Sequence, residues 1–277
     1  MILRSHSTSY RRILTWTIIG IYLVIRIGLV SVSRVITHMQ SSDWIDAVYQ
    51  LSAYLLVFLL VCINYNCLPK YNIDRLALFL LIAGMLLNTL LRKLKLPFPV
   101  PSTIDMSIVN ALVAGFLLAF VLARRSMLQS LNVPSLAYVV GAFVVGLVGA
   151  TVTGFLIRTT QPPFLSQHAT VIQLALLPIQ QFSYAALSEE PFFRGFLWGA
   201  LRETGFRDRG AFVIQALLFW LAHVYYLRAY PLSFWFIVPL GAVLFGLLVW
   251  FSKSLSTSLI AHGLMNGVGQ AIAFYTL

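Results

Sequence analysis

Two adjacent carboxylates, Glu189 and Glu190, stand in the middle of a long apolar stretch, and Arg194 follows four residues after the second. A carboxylate at bilayer depth costs roughly 2.5 to 3.5 kcal/mol on insertion scales, so a chain that keeps two there uses them. In Ser188-Glu189-Glu190-Pro191-Phe192-Phe193-Arg194, successive side chains are about 100° apart around a helix, and the two glutamates must face different ways. Glu190 and Arg194 share one face as an i,i+4 ion pair, which lowers the cost of burying either. Glu189 has no sequence-local partner. Desolvation makes a carboxylate a better base, which is what general-base catalysis near neutral pH requires. Pro191 removes the helical donor for the carbonyl of Leu187, bending the helix or opening it to water at this point.

Two further clusters have helical spacing: Phe219-Trp220-Leu221-Ala222-His223 and His262-Gly263-Leu264-Met265-Asn266. His262 and Asn266, four apart, project from one helix face. Taken alone, an intramembrane histidine is more often a hydrogen-bonded structural residue than a reactive one. Three helices that each offer Glu, His or Asn can instead jointly bind a water or a metal. Glu with His supplies a base, and an Asn amide or a His N–H can donate to a developing oxyanion. Glu189, His223 and His262 also compose a plausible zinc shell. Against zinc, no two histidines share a helix in the His-Glu-x-x-His manner, and Asn is a poor zinc ligand. The expected cofactor is either none or a divalent metal such as zinc, with the metal-free alternative preferred.

These clusters must be positioned by membrane helices. Of 277 residues, 60% are hydrophobic and only 10% charged, and the mean hydropathy is +0.88. Apolar stretches able to cross about 30 Å of hydrocarbon lie near 13–36, 44–66, 75–91, 104–123, 136–157, 170–200, 210–228, 233–251 and 256–275. That predicts nine spans, or eight if one is re-entrant. No stretch alternates as a barrel strand does, so the fold class is all-α, a polytopic transmembrane helical bundle. The first stretch is too long for a signal-peptide core and is read as a retained helix.

Placing the N-terminus in the cytoplasm puts eleven of the 19 Lys and Arg on inner segments, five on outer ones and three within or at the ends of spans, which favours that orientation. The cluster Arg92, Lys93, Lys95 opposes it. The net charge of +11 is scattered over helix ends with no basic stripe, so the expected partners are membrane lipids and not nucleic acid. Cys62 and Cys67 fall on different helix faces and are expected to pack, forming neither a disulfide nor a metal site.

The chain divides near residue 160. Residues 1–160 supply helices without recognised motifs, joined by short loops such as Leu68-Pro69-Lys70-Tyr71 and the Pro-rich 96–101; their in-span charges, Arg26 and Arg34, suggest no chemistry. Arg26 could pair with headgroups or a neighbouring helix, and the preferred expectation is that it snorkels or makes a structural hydrogen bond. Residues 161–277 hold almost every polar group that lies deep in lipid.

Glu189-Glu190-x-x-x-Arg194, Phe219-x-x-x-His223 and His262-x-x-x-Asn266, in that order on successive helices, resemble the three motifs of the CPBP family of intramembrane proteases, which includes the Ras-converting type II CAAX prenyl endopeptidases. The resemblance covers roughly residues 165–277. It implies a membrane-embedded endopeptidase acting on a peptide or lipidated protein, in which Glu189 and His223 activate a water and His262 and Asn266 stabilise the oxyanion. Glu190, Arg194 and Phe219 would support that site, and a metalloendopeptidase with Glu189, His223 and His262 as ligands is the variant. A transporter or a non-catalytic membrane scaffold built around the buried Glu–Arg pair is the competing expectation.

Overall fold

The computed structural model describes residues 2–36, 43–93, 106–160, 167–168 and 170–276. Among the described residues nine helical segments occupy the nine apolar stretches: α1 (2–36), α2 (Asp43–Ile63), α3 (Arg75–Lys93), α4 (Ser107–Ala123), α5 (Leu136–Thr160), α6 (Val171–Glu203), α7 (Asp208–Leu221), α8 (Ser233–Ser252) and α9 (Leu255–Phe274). Among the described residues six of them, α1, α2, α3, α5, α6 and α8, are long and apolar enough to cross a membrane. The six fall short of the eight or nine expected spans for visible reasons. At 1.5 Å per residue, the 17-residue α4 extends only about 26 Å and the 14-residue α7 about 21 Å, and α9 carries Ser256, Thr257, Ser258, His262, Asn266 and Gln270 along its length. The stretches at 44–66 and 210–228 are also shorter as helices than their apolarity suggests. The first becomes a 3₁₀ segment at Tyr65–Tyr71, and the second breaks after Leu221 before a short helix at Tyr226–Ala229. The Pro-rich loop and Lys95 lie outside the described residues.

The helix that carries the glutamates is irregular where they sit. A capping box starts it: Thr170 Oγ1 accepts from the N–H of Gln173, and Gln173 Oε1 accepts from the N–H of Thr170. Its hydrogen-bond ladder widens to π at Phe182–Ala186 and again at Pro191–Leu197, leaving one α-turn, Leu187–Glu190, between. Backbone groups freed this way need partners in an apolar medium, and tyrosines from the N-terminal helices supply them. Tyr22 Oη donates to the carbonyl of Ser188 at 2.8 Å, Tyr54 donates to that of Ser183, and Tyr49 donates to Ser188 Oγ at 3.2 Å. The bend expected at Pro191 is therefore a pair of π-turns braced by α1 and α2.

Helix α9 packs chiefly on α5 and α6. Side-chain-free positions let the backbones approach: a Cβ at Gly154 would lie 2.8 Å from the carbonyl of Gly269, and one at Gly267 would lie 2.3 Å from Cα of Pro178. The same helix is pinned at its start. Asp74 caps α3 through the N–H of Ala77 at 2.9 Å and, with its other oxygen, accepts from Ser254 Oγ at 2.7 Å and the N–H of Ser256 at 3.1 Å. Asn72, in the left-handed region with φ 56°, accepts from the N–H of Leu255 at 2.7 Å and donates to the carbonyl of Arg194 at 3.1 Å. The loop after α2 thus ties the start of α9 to the π-turn of α6.

Candidate active site

The two glutamates point apart, as their spacing requires, and each meets a different histidine. On one side Glu189 Oε1 accepts from Arg26 Nη2 at 2.7 Å and lies 3.6 Å from His223 Nε2. Arg26 Nη2 also lies 3.0 Å from His223 Nε2. The nitrogen His223 Nδ1 is 2.8 Å from the carbonyl of Phe219, which can only accept, so Nδ1 carries the proton and Nε2 offers its lone pair to Arg26. The Phe219-x-x-x-His223 spacing sets that contact, because the carbonyl one turn back fixes the ring.

On the other side Glu190 Oε1 accepts from Arg194 Nη1 at 3.1 Å, the ion pair read from the i,i+4 spacing, and from His262 Nδ1 at 2.7 Å. A carboxylate only accepts, so His262 Nδ1 carries a proton and, in the neutral ring, Nε2 accepts from the Asn266 amide at 3.0 Å. One amide hydrogen of Asn266 is spent on the ring and the second remains. Aromatic rings hold the set in place: the Arg194 guanidinium lies 3.9 Å from the centroid of Phe219, and Phe245 stacks on His262 with centroids 4.9 Å apart. Arg194 and Glu190 are completely buried. Removing one partner of such a pair leaves an uncompensated charge worth about 3 to 5 kcal/mol. Arg194→Ala is therefore expected to lose folded protein, read as a drop in unfolding temperature and yield; a fully stable but inactive variant would put this arginine in the chemistry instead.

Glu189, His223, His262 and Asn266 all line one cavity of about 380 Å³, and Arg26 lines it with them. Glu190 and Arg194 do not, and stand behind it. The sequence alone does not single out Arg26 or its helix as part of a site. Of the two expectations for Arg26, snorkelling does not occur, since it is 2% exposed, and the hydrogen bond does: it donates to Glu189 and is the ionic partner that Glu189 lacked locally. The signal that could have found it was charge balance, since a deep acid and a deep base, each without a partner on its own helix, are expected to meet. Cys62 and Cys67 are free thiols.

Among the described residues no three of His, Cys, Asp and Glu come together as a metal shell. The place between Glu189 and His223 that a dication would take faces the Arg26 guanidinium, and His262 turns one nitrogen to Glu190 and the other to Asn266. The side chains as arranged do not fit zinc.

Comparison with curated proteins and with solved structures gave no match. Residues 171–268, which contain all three motifs, match the family model described as Rce1-like, type II CAAX prenyl endopeptidase Rce1-like. That match spans 98 of the 277 residues, and over them the chain is similar to the Rce1-like domain of the CPBP/CAAX protease family.

Proposed function

We propose that this integral membrane protein hydrolyses a peptide bond of a membrane-associated peptide or lipidated protein, with Glu189 and His223 activating the water and Asn266, oriented by His262, meeting the oxyanion. The observation that carries the proposal is convergence: four side chains from α6, the turn after α7, and α9 face one cavity. Glu189 Oε1 is held by Arg26, and its second oxygen is left for the water. In the first step Glu189 takes a proton from that water as its oxygen bonds to the substrate carbonyl carbon, and the former carbonyl oxygen becomes an anion beside the spare amide hydrogen of Asn266. In the second the carbon–nitrogen bond breaks, the carbonyl reforms, and the leaving amine takes the proton from Glu189. Arg26 orients Glu189 and His223 toward one another and balances the buried carboxylate before it takes the proton and after it gives the proton up.

No metal enters this sequence. With the protein in lipid nanodiscs and a peptide ending in a prenylated C-a-a-X sequence as substrate, mass spectrometry should show a new carboxyl terminus, and the rate should survive exhaustive chelation. Loss of activity on chelation, restored by zinc, would replace the glutamate mechanism with a metal-dependent one; absence of any product would remove the peptidase proposal. The transporter reading is disfavoured by the Glu190–Arg194 pair, which does not line the cavity and is packed behind Phe219 and Phe245, which do. The distribution of Lys and Arg supports an N-terminus on the cytoplasmic side, with lipid headgroups as partners of the basic helix ends.

A further inference from the structure

Arg34 stands eight residues beyond Arg26 on α1 and lines the same cavity as Glu189 and His223. Its Nη2 donates to Asp46 Oδ1 at 2.7 Å, and Asp46 is buried, yet the arginine side chain keeps 16% of its surface exposed. Among the described residues its remaining donors meet no acceptor, so one edge of the guanidinium is held by Asp46 and another is left for a ligand in the cavity. An arginine used only to neutralise Asp46 has no need to line that cavity.

The separation from the reacting end is informative. Both guanidinium groups lie against the ring of Tyr225, Arg26 Cζ 5.5 Å and Arg34 Cζ 4.9 Å from its centroid, so the two carbons are no more than 10.4 Å apart. Arg26 marks the reacting end, since it touches both Glu189 and His223. An extended peptide advances about 3.3 to 3.6 Å per residue, so a separation of at most 10.4 Å leaves room for no more than three residues between the two guanidinium groups. A C-a-a-X substrate ends in a free carboxylate three residues beyond its prenylated cysteine. The planar fork of arginine matches a carboxylate through two parallel hydrogen bonds, and a single guanidinium can hold two carboxylates on separate edges.

We propose that Arg34, oriented by Asp46, binds the free α-carboxylate of the substrate's last residue and so sets the distance from the C-terminus at which the chain is cut. This rests on the peptidase proposal above and names the part of the substrate that the cavity reads.

The test uses two prenylated peptides that differ only in ending as a carboxylate or a carboxamide. The wild-type protein should cut the carboxylate with a kcat/KM roughly 10- to 100-fold higher, the value of a charge-assisted hydrogen bond, with the difference mainly in KM. Arg34→Lys keeps a cation beside Asp46 and should shrink the ratio; Arg34→Gln combined with Asp46→Asn removes both charges together and should bring it close to one. Equal cleavage of the two peptides by the wild type, or an undiminished preference in the double variant, overturns the proposal and leaves the peptidase standing. Cleavage of neither peptide by the wild type overturns the peptidase proposal and this one with it.

Discussion

Glu189→Gln should cut peptide hydrolysis by at least about a hundredfold, the usual consequence of losing a general base. Glutamine keeps the shape and can still accept from Arg26 through its amide oxygen, so what disappears is basicity and charge. The charge matters separately, because Arg26 is buried and its ionic partner is gone. An inactive protein that also unfolds would not separate the two effects, since a buried cation without its partner is costly. The double variant Arg26→Gln with Glu189→Gln removes both members of the pair and restores charge balance. Thermal unfolding should show the double variant more stable than Glu189→Gln, while both hydrolyse at the same low rate. Turnover close to wild type in Glu189→Gln would take this carboxylate out of the mechanism.

What could be read from the sequence follows the range over which each contact is decided. The Glu190–Arg194 pair and the shared face of His262 and Asn266 are i,i+4 relations, fixed once the segment is helical, and both are present. The contacts that build the site around them join residues far apart in the chain. Arg26 reaches Glu189 across 163 positions and His262 reaches Glu190 across 72, and neither pairing follows from periodicity. Arg26 illustrates the limit: an arginine in an apolar helix reads as a snorkelling residue until a second helix places a carboxylate beside it. Helix ends were hidden for a related reason. Val224, Tyr225 and Tyr226 continue the apolarity of α7 after its helical backbone has stopped at Leu221. Hydropathy reports the solvent a segment prefers, whereas the helix ends where its ladder gives way to the i,i+3 bonds of a turn, His223 N–H to the carbonyl of Trp220 and Val224 N–H to that of Leu221.

Asn266→Ala should lower kcat on the order of 10²- to 10³-fold while leaving KM nearly unchanged, the pattern of losing a donor that acts in the transition state. The expectation rests on the amide having two hydrogens. One is directed at His262 Nε2 at 3.0 Å, which fixes the orientation of the amide, and the second is available to the cavity that Asn266 lines. His262 is in turn fixed by Glu190, and Glu190 by Arg194, so the chain of hydrogen bonds behind Asn266 runs back into the packed interior of α6. That support makes the donor rigid, and rigidity is what a donor aimed at a developing charge must have, since reorganisation during the reaction would cost the stabilisation it provides. Truncation to alanine removes the donor and leaves the His262–Glu190–Arg194 chain, so stability should change far less than rate. Asn266→Asp tests orientation against charge: it keeps the size but puts a carboxylate oxygen where an oxyanion forms, and should be slower than alanine. Unchanged kcat in Asn266→Ala, or an aspartate variant faster than the alanine one, would remove Asn266 from the oxyanion site and leave it as a support for His262.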